Sequence, residues 1–173
     1  EPLGVAHAEA PPGHLVPWGN LREPLAELCR AQIVVMTHAD QMSEARKSEI
    51  HNMILKHSPS AMILEARHVP DRLYRAREGK DLGTNYLAGK SLLSVSGIGY
   101  PQSFQRTLES LGANVKQSFE FGDHYVFTFH ELEGVRKLKE CGAAQEIIVT
   151  EKDYLRAPEM LTETLDPLVL SVR

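Results

Sequence analysis

Cysteine is scarce in this chain. Two residues, Cys29 and Cys141, stand far apart and form no Cys-x-x-Cys pair. That argues against a disulfide-stapled scaffold or a zinc ribbon, and reduced thiols in a cytosolic protein are the simpler expectation. Long apolar runs are missing too. No stretch approaches the ~18 residues a membrane-spanning helix needs, and no basic-then-apolar segment of the secretory kind opens the chain. Positive charge is not in excess: 19 Lys and Arg against 23 Asp and Glu give a formal net charge of -4. General nucleic-acid binding requires a strong basic footprint to neutralise phosphates, so nucleic acid is not an expected partner. Trp18 is the lone tryptophan and is expected to pack. The histidines His7, His14, His38, His51, His57, His68 and His130 show no metal-ligand spacing such as His-Glu-x-x-His. A Gly-x-Ser-x-Gly elbow and a nucleophilic cysteine motif are likewise missing.

The 173 residues, 42% of them apolar, are enough for one domain with a real core. Residues 1–30 read as an irregular, Pro- and Gly-rich arm followed by a short helix over Leu21–Arg30. Residues 31–173 read as a single Rossmann-like domain. The run Ile33–Thr37 predicts a strand covered on both faces. Ser43 caps a helix reaching about His57, and Ala61–Ala66 is the next strand. Residues 70–89 are polar and charged and read as a surface loop. Strand Ser91–Ser96, helix Pro101–Leu111, strand Val115–Phe121, helix Thr128–Glu140, strand Ile147–Thr150, a short helix near Lys152–Arg156 and strand Leu168–Val172 follow. Alternating strands and helices imply a three-layer α/β/α fold with a mostly parallel sheet. Ligands in such folds sit beyond the carboxyl ends of the strands.

Five loops then merit attention. Gly89-Lys90-Ser91 imitates the tail of a phosphate-binding loop, but Gly83 and Gly89 enclose Thr84, Asn85, Tyr86, Leu87 and Ala88, one residue too many. It also precedes a strand, whereas a phosphate loop opens a helix; a turn before a strand is the better reading. Gly97 and Gly99, in Ser96-Gly97-Ile98-Gly99, end a strand just before Pro101. Free N–H groups there can form an anion pocket, or the pair can simply make a tight turn. Asp123-His124 follows a strand; a carboxylate beside an imidazole suits a general base, though two incidental loop residues fit as well. Arg22-Glu23-Pro24 offers a guanidinium for phosphate oxygens and a carboxylate for Mg²⁺, or a plain surface ion pair. In Thr150-Glu151-Lys152-Asp153, helix capping explains the residues without a ligand.

Taken in order, "HLVPWGNLREPLAELCRAQIVVMTHAD", "SGIGYPQSFQRTLESLGANV", "FEFGDHYVFT" and "IIVTEKD" resemble the tetraacyldisaccharide 4'-kinase (lipid A 4'-kinase) family over nearly the whole chain. The departures are Gly122 where the family tends to have Pro, Trp18-Gly19-Asn20 in place of Ala-Gly-Pro, and Tyr100 in place of Asn. The resemblance implies a fold related to P-loop kinases. It implies transfer of the ATP γ-phosphoryl group, with Mg²⁺, to the 4'-hydroxyl of a lipid A disaccharide precursor. Peripheral contact with the inner membrane, at its cytoplasmic face, goes with it. It assigns Arg22 to the nucleotide phosphates, Glu23 to Mg²⁺, and His124, tuned by Asp123, to activation of the 4'-hydroxyl. The family's phosphate loop lies in an N-terminal half, so this chain is expected to be the C-terminal portion, inactive by itself. The alternative expectation is a non-catalytic Rossmann-like module holding a phosphorylated ligand at Ser96–Gly99.

Overall fold

The computed structural model describes residues 15–16, 21–123 and 125–173. The chain divides into two compact units, one of Ala6–His68 and one holding Val69–Arg173. The division falls inside the span 31–173, and each unit has its own sheet.

In the smaller unit a 3-10 helix, Leu25–Arg30, replaces the longer helix expected from Leu21. It starts after Pro24, which has no N–H to donate and fixes the backbone there. Strand β1 (Ile33–Met36) pairs in parallel with β2 (Met62–Glu65), with Ile33 opposite Met62 and Val35 opposite Leu64. Helix α1 (Glu44–His57) joins them, and the Ser43 side chain accepts the Arg46 N–H as its cap. From α1, Lys47 reaches Glu65 at 3.2 Å, and Ile54 is buried. Sequence expectation failed at β1 in one respect. Ile33 is 57% exposed and Val35 52%, so one face of the strand is open.

The larger unit is a five-stranded sheet in the order β3-β7-β6-β4-β5. Its strands are β3 (Pro70–Arg75), β4 (Ser91–Ser96), β5 (Asn114–Glu120), β6 (Glu146–Thr150) and β7 (Leu168–Val172). All neighbours are parallel except β3, which runs antiparallel along β7. The stretch expected to be a surface loop therefore contains an edge strand. Its Asp71 and Arg72 are exposed while Leu73 is fully buried, and a 3-10 turn over Thr84–Leu87 buries Leu87 as well.

Helices α2 (Pro101–Ser110), α3 (Phe129–Glu140), α4 (Glu151–Arg156) and α5 (Pro158–Thr164) complete the unit. Two cores lie on opposite faces of the sheet. Leu93, Val95, Ile147 and Val149 pack with Leu132 and Val135 of α3 and Leu161 of α5. Leu92 and Ile148 pack with Phe104 and Leu108 of α2 and with Leu87. Adjacent residues of β4 and β6 thus serve opposite cores, as a strand with helices on both sides must. Every residue of β6 is buried. The α/β fold with a mostly parallel sheet is as expected. Helix α5, which the sequence reading did not separate, begins with Pro158 in its first turn.

The Gly89-Lys90-Ser91 look-alike is a turn. Gly89 has φ of 75°, Lys90 N–H donates to Leu87 O at 3.0 Å, and Ser91 starts β4. The Lys90 ammonium lies over the Tyr86 ring, 5.1 Å from its centroid.

Candidate active site

The carboxyl ends of β4 and β6 and the loop after β5 bring five polar side chains and two glycines together. Thr150 ends β6 and caps α4. Its hydroxyl accepts the Asp153 N–H at 3.1 Å and donates to Asp153 Oδ2 at 2.6 Å. Asp153 is fully buried. A carboxylate there is tolerable only if its oxygens are satisfied, and they are. Oδ2 also accepts the Gly97 N–H at 3.0 Å, and Oδ1 accepts Arg156 Nη1 at 3.0 Å. The same Nη1 donates to Gly97 O at 2.9 Å. Asp153 and Arg156 therefore clamp both backbone polar groups of Gly97 onto α4.

A side chain at 97 would be tightly placed. A Cβ there would stand 3.3 Å from Asp153 Oδ1 and 3.5 Å from both Gly122 O and Phe127 Cζ. At 99 the nearest atom to a Cβ would be Asp123 Oδ2, at an ordinary 3.7 Å. Gly97 and Gly99 are thus one turn, held by Asp153 on one side and facing Asp123 on the other.

Asp123 lies in the loop after β5 and joins this cluster through cations. Lys152 Nζ is 3.1 Å from its Oδ1, and Arg156 Nη2 is 3.8 Å from the same atom. The side chains of Asp123 and Lys152 are about half exposed, at 45% and 51%, so this end of the cluster is wet while Asp153 is dry. The loop's far side is fixed by aromatics: Phe121 stacks on Tyr125 and meets Phe127 edge to face. Tyr125 then donates to Glu131 at 2.6 Å, and Glu131 completes the capping box of Thr128 at the start of α3. Burial raises the Glu131 carboxyl's pKa, but hydrogen bonds from Tyr125 and Thr128 outweigh it and leave the group below its ordinary value.

The predicted site residues fall into two sets. Gly97, Gly99 and Asp123 are brought together in the larger unit. His124 lies outside the described residues. Arg22 and Glu23 belong to the smaller unit, where both are exposed. Glu23 accepts from Arg30 at 2.6 Å, with both side chains more than 60% exposed. Sequence reasoning missed the clamp. The Thr-x-x-Asp spacing announces the cap of α4, but nothing local announces that the same carboxylate holds Gly97.

The family model described as Tetraacyldisaccharide-1-P 4'-kinase matches residues 6–173. The chain is 36% identical over 162 residues to the tetraacyldisaccharide 4'-kinase of Anaeromyxobacter sp. (strain Fw109-5), covering 93% of this chain and 42% of that protein. It is 34% identical over 157 residues to a probable mitochondrial tetraacyldisaccharide 4'-kinase of Arabidopsis thaliana, covering 86% of this chain and 39% of that one. Among solved structures, the crystal structure of LpxK from Aquifex aeolicus in complex with ATP aligns with a TM-score of 0.45 at 22% identity, over 92% of this chain and 43% of that chain. The chain thus spans about two fifths of the length of the curated relatives it matches. Matched from residue 6 to its last residue, the chain belongs to the Tetraacyldisaccharide-1-P 4'-kinase family.

Proposed function

We propose that this chain is the C-terminal portion of a kinase that moves the γ-phosphoryl group of ATP to the 4'-hydroxyl of a tetraacyldisaccharide 1-phosphate. The family match along 6–173 carries this reading, and the clamped loop at the strand ends supports it. In the step, His124 takes the proton of the 4'-hydroxyl. The oxygen bonds to the γ-phosphorus, the bond from that phosphorus to the β–γ bridging oxygen breaks, and ADP leaves. Phosphoryl transfer depends on positioning and charge stabilisation more than on covalent help from the protein. The contribution of this chain is accordingly geometric: Lys152 and Arg156 hold Asp123 in the loop after β5.

Gly97 and Gly99 keep the neighbouring turn low enough for a phosphorylated ligand to approach. Arg22 serves the nucleotide phosphates. A Mg²⁺ ion takes few protein carboxylates besides phosphate oxygens and water, and Glu23, exposed and paired with the exposed Arg30, fits that demand as a single hard oxygen ligand. When bound, the ion would neutralise charge on the phosphates. Among the described residues no helix is long and apolar enough to cross a membrane, and the place of action we propose is peripheral, at the cytoplasmic face of the bacterial inner membrane.

The test is His124→Ala in the complete gene product, assayed for ATP-dependent phosphorylation of the disaccharide. Turnover is expected to drop by about 10²–10⁴-fold, the usual weight of a general base, with the thermal transition unchanged. Unchanged turnover would remove the role. A folded, unsubstituted protein that binds phosphate ligands yet transfers nothing would favour the non-catalytic module instead.

A further inference from the structure

The first turn of α4 reaches in three directions. Glu151 accepts from the Tyr74 hydroxyl of β3 at 3.3 Å, and Asp153 accepts the Gly97 N–H after β4. Lys152, between them, donates to Asp123 Oδ1 after β5 at 3.1 Å. The two acids have a local explanation. A helix start presents free N–H groups and the positive end of the dipole, which favour negative charge. Lys152 has no such explanation, because a cation in the first turn sits at the end of the helix that disfavours it. Stability does not account for it either. Its pair with Asp123 has both side chains about half exposed, and exposed ion pairs add little to the folding free energy.

We propose that Lys152 is a positioning residue for phosphoryl transfer, acting through Asp123 on the loop after β5. Three observations carry this. First, the loop is already packed on its far side by Phe121, Tyr125 and Phe127, and Asp123 is where α4 grips its near side. Second, two cations converge on one oxygen of Asp123, and they differ. Arg156 stands at 3.8 Å and is tied to the clamp, its Nη1 bonded to Gly97 O at 2.9 Å and to the buried Asp153 at 3.0 Å. Lys152 makes the closer contact and is half exposed. Third, the other oxygen of Asp123 is the atom nearest to a Cβ at Gly99, at 3.7 Å. Lys152 thus holds Asp123 against the glycine turn, one residue before His124 in the chain. Misplacing a reacting group by about 1 Å can cost about 10²-fold in rate. A lysine that matters little to the fold can therefore matter a great deal to the reaction. This inference rests on the kinase reading, and its test separates the two.

The test is a double-mutant cycle in the complete gene product. Lys152→Met, Asp123→Asn and the two together are assayed for ATP-dependent phosphorylation of tetraacyldisaccharide 1-phosphate. Lys152→Met is expected to lower kcat by about 10- to 100-fold, with KM within about 2-fold of the parent, and to melt with the parent. Lys152→Arg, which keeps a cation in reach of Asp123, should recover most of the loss. In the Asp123→Asn background, Lys152→Met should change kcat by less than about 2-fold, because the partner it acts through is gone. Amide exchange of the peptide spanning Phe121–Phe127 should quicken in Lys152→Met while the rest of the larger unit exchanges as in the parent. A parent that transfers phosphate, with Lys152→Met turning over as fast, overturns this inference and leaves the kinase reading standing. Full additivity with Asp123→Asn overturns it as well, since Lys152 would then act elsewhere. A raised KM at unchanged kcat would make Lys152 a binding residue instead, and a lower melting point that accounts for the lost activity would make its role structural; either overturns the proposal. A parent that transfers nothing overturns both readings together.

Discussion

Strands β4 and β6 of the larger unit and strand β1 of the smaller one look alike as sequences. All three are short apolar runs. Leu92, Leu93, Val95, Ile147, Ile148 and Val149 are exposed by 1% or less, whereas Ile33 and Val35 remain more than half exposed. The difference lies in what each strand is given to lean on. β4 and β6 have α3 and α5 on one side and α2 on the other, while β1, paired with β2, keeps one face open. An apolar run states that a strand is to be covered. It does not state which part of the polypeptide supplies the cover.

The largest test of this contrast is a matched pair of truncations. Leu93→Ala should cost about 2–5 kcal/mol by removing packed methyl groups and leaving a cavity. Val35→Ala in the isolated chain should cost about 0.5 kcal/mol or less, as at other exposed sites. Urea unfolding of both variants measures the gap, and equal losses would erase the distinction.

Next in size is the clamp. Asp153→Ala removes the acceptor of the Gly97 N–H and the partner of Arg156, and leaves a buried donor and a part-buried cation behind. The expected loss is about 3 kcal/mol, read as a drop in the unfolding midpoint. Asp153→Asn, which can still accept one of these bonds, should lose less.

The two glycines offer a finer comparison within the same turn. Gly97→Ala forces a methyl to within 3.3 Å of Asp153 and should cost about 1–3 kcal/mol as overpacking. Gly99→Ala finds only ordinary contact and should stay within about 0.5 kcal/mol. If the two variants melt together, the turn is not held as described.

The smallest expected effect is a pH dependence at the opposite end of β6. Burial raises the Glu146 carboxyl's pKa, but hydrogen bonds from Arg75 and Tyr86 and the charges of Arg75 and Lys139 outweigh it, so the folded pKa lies below the ordinary 4.5. The folded state therefore binds this proton less readily than the unfolded chain. The stabilisation is fully present above the unfolded value and is lost as pH falls through the folded one. Thermal melts from pH 6 to about pH 3 should show a flatter acid decline for Glu146→Gln than for the parent chain; identical slopes would show that the carboxylate contributes nothing.

Much of the fold was legible because it rests on local physics. Ser43 and Thr128 cap their helices as their side chains require, and β4 and β7 keep the limits their apolar runs suggest. Strand β3 was hidden because Asp71 and Arg72 make an edge strand look like a loop, while Leu73 is buried beside β7, nearly a hundred residues further along. The site divides the same way. Asp123 and the Gly97–Gly99 turn are visible as strand-end loops. The Asp153–Gly97 bond joins residues 56 positions apart, and depends on β4 lying next to β6, an adjacency no local pattern encodes.

The central claim is tested most directly by giving the complete native gene product ATP, Mg²⁺ and a tetraacyldisaccharide 1-phosphate, and following where the γ-phosphate goes. Phosphate on the 4'-hydroxyl is the predicted result. A folded protein that leaves the disaccharide unmodified under these conditions would contradict the account.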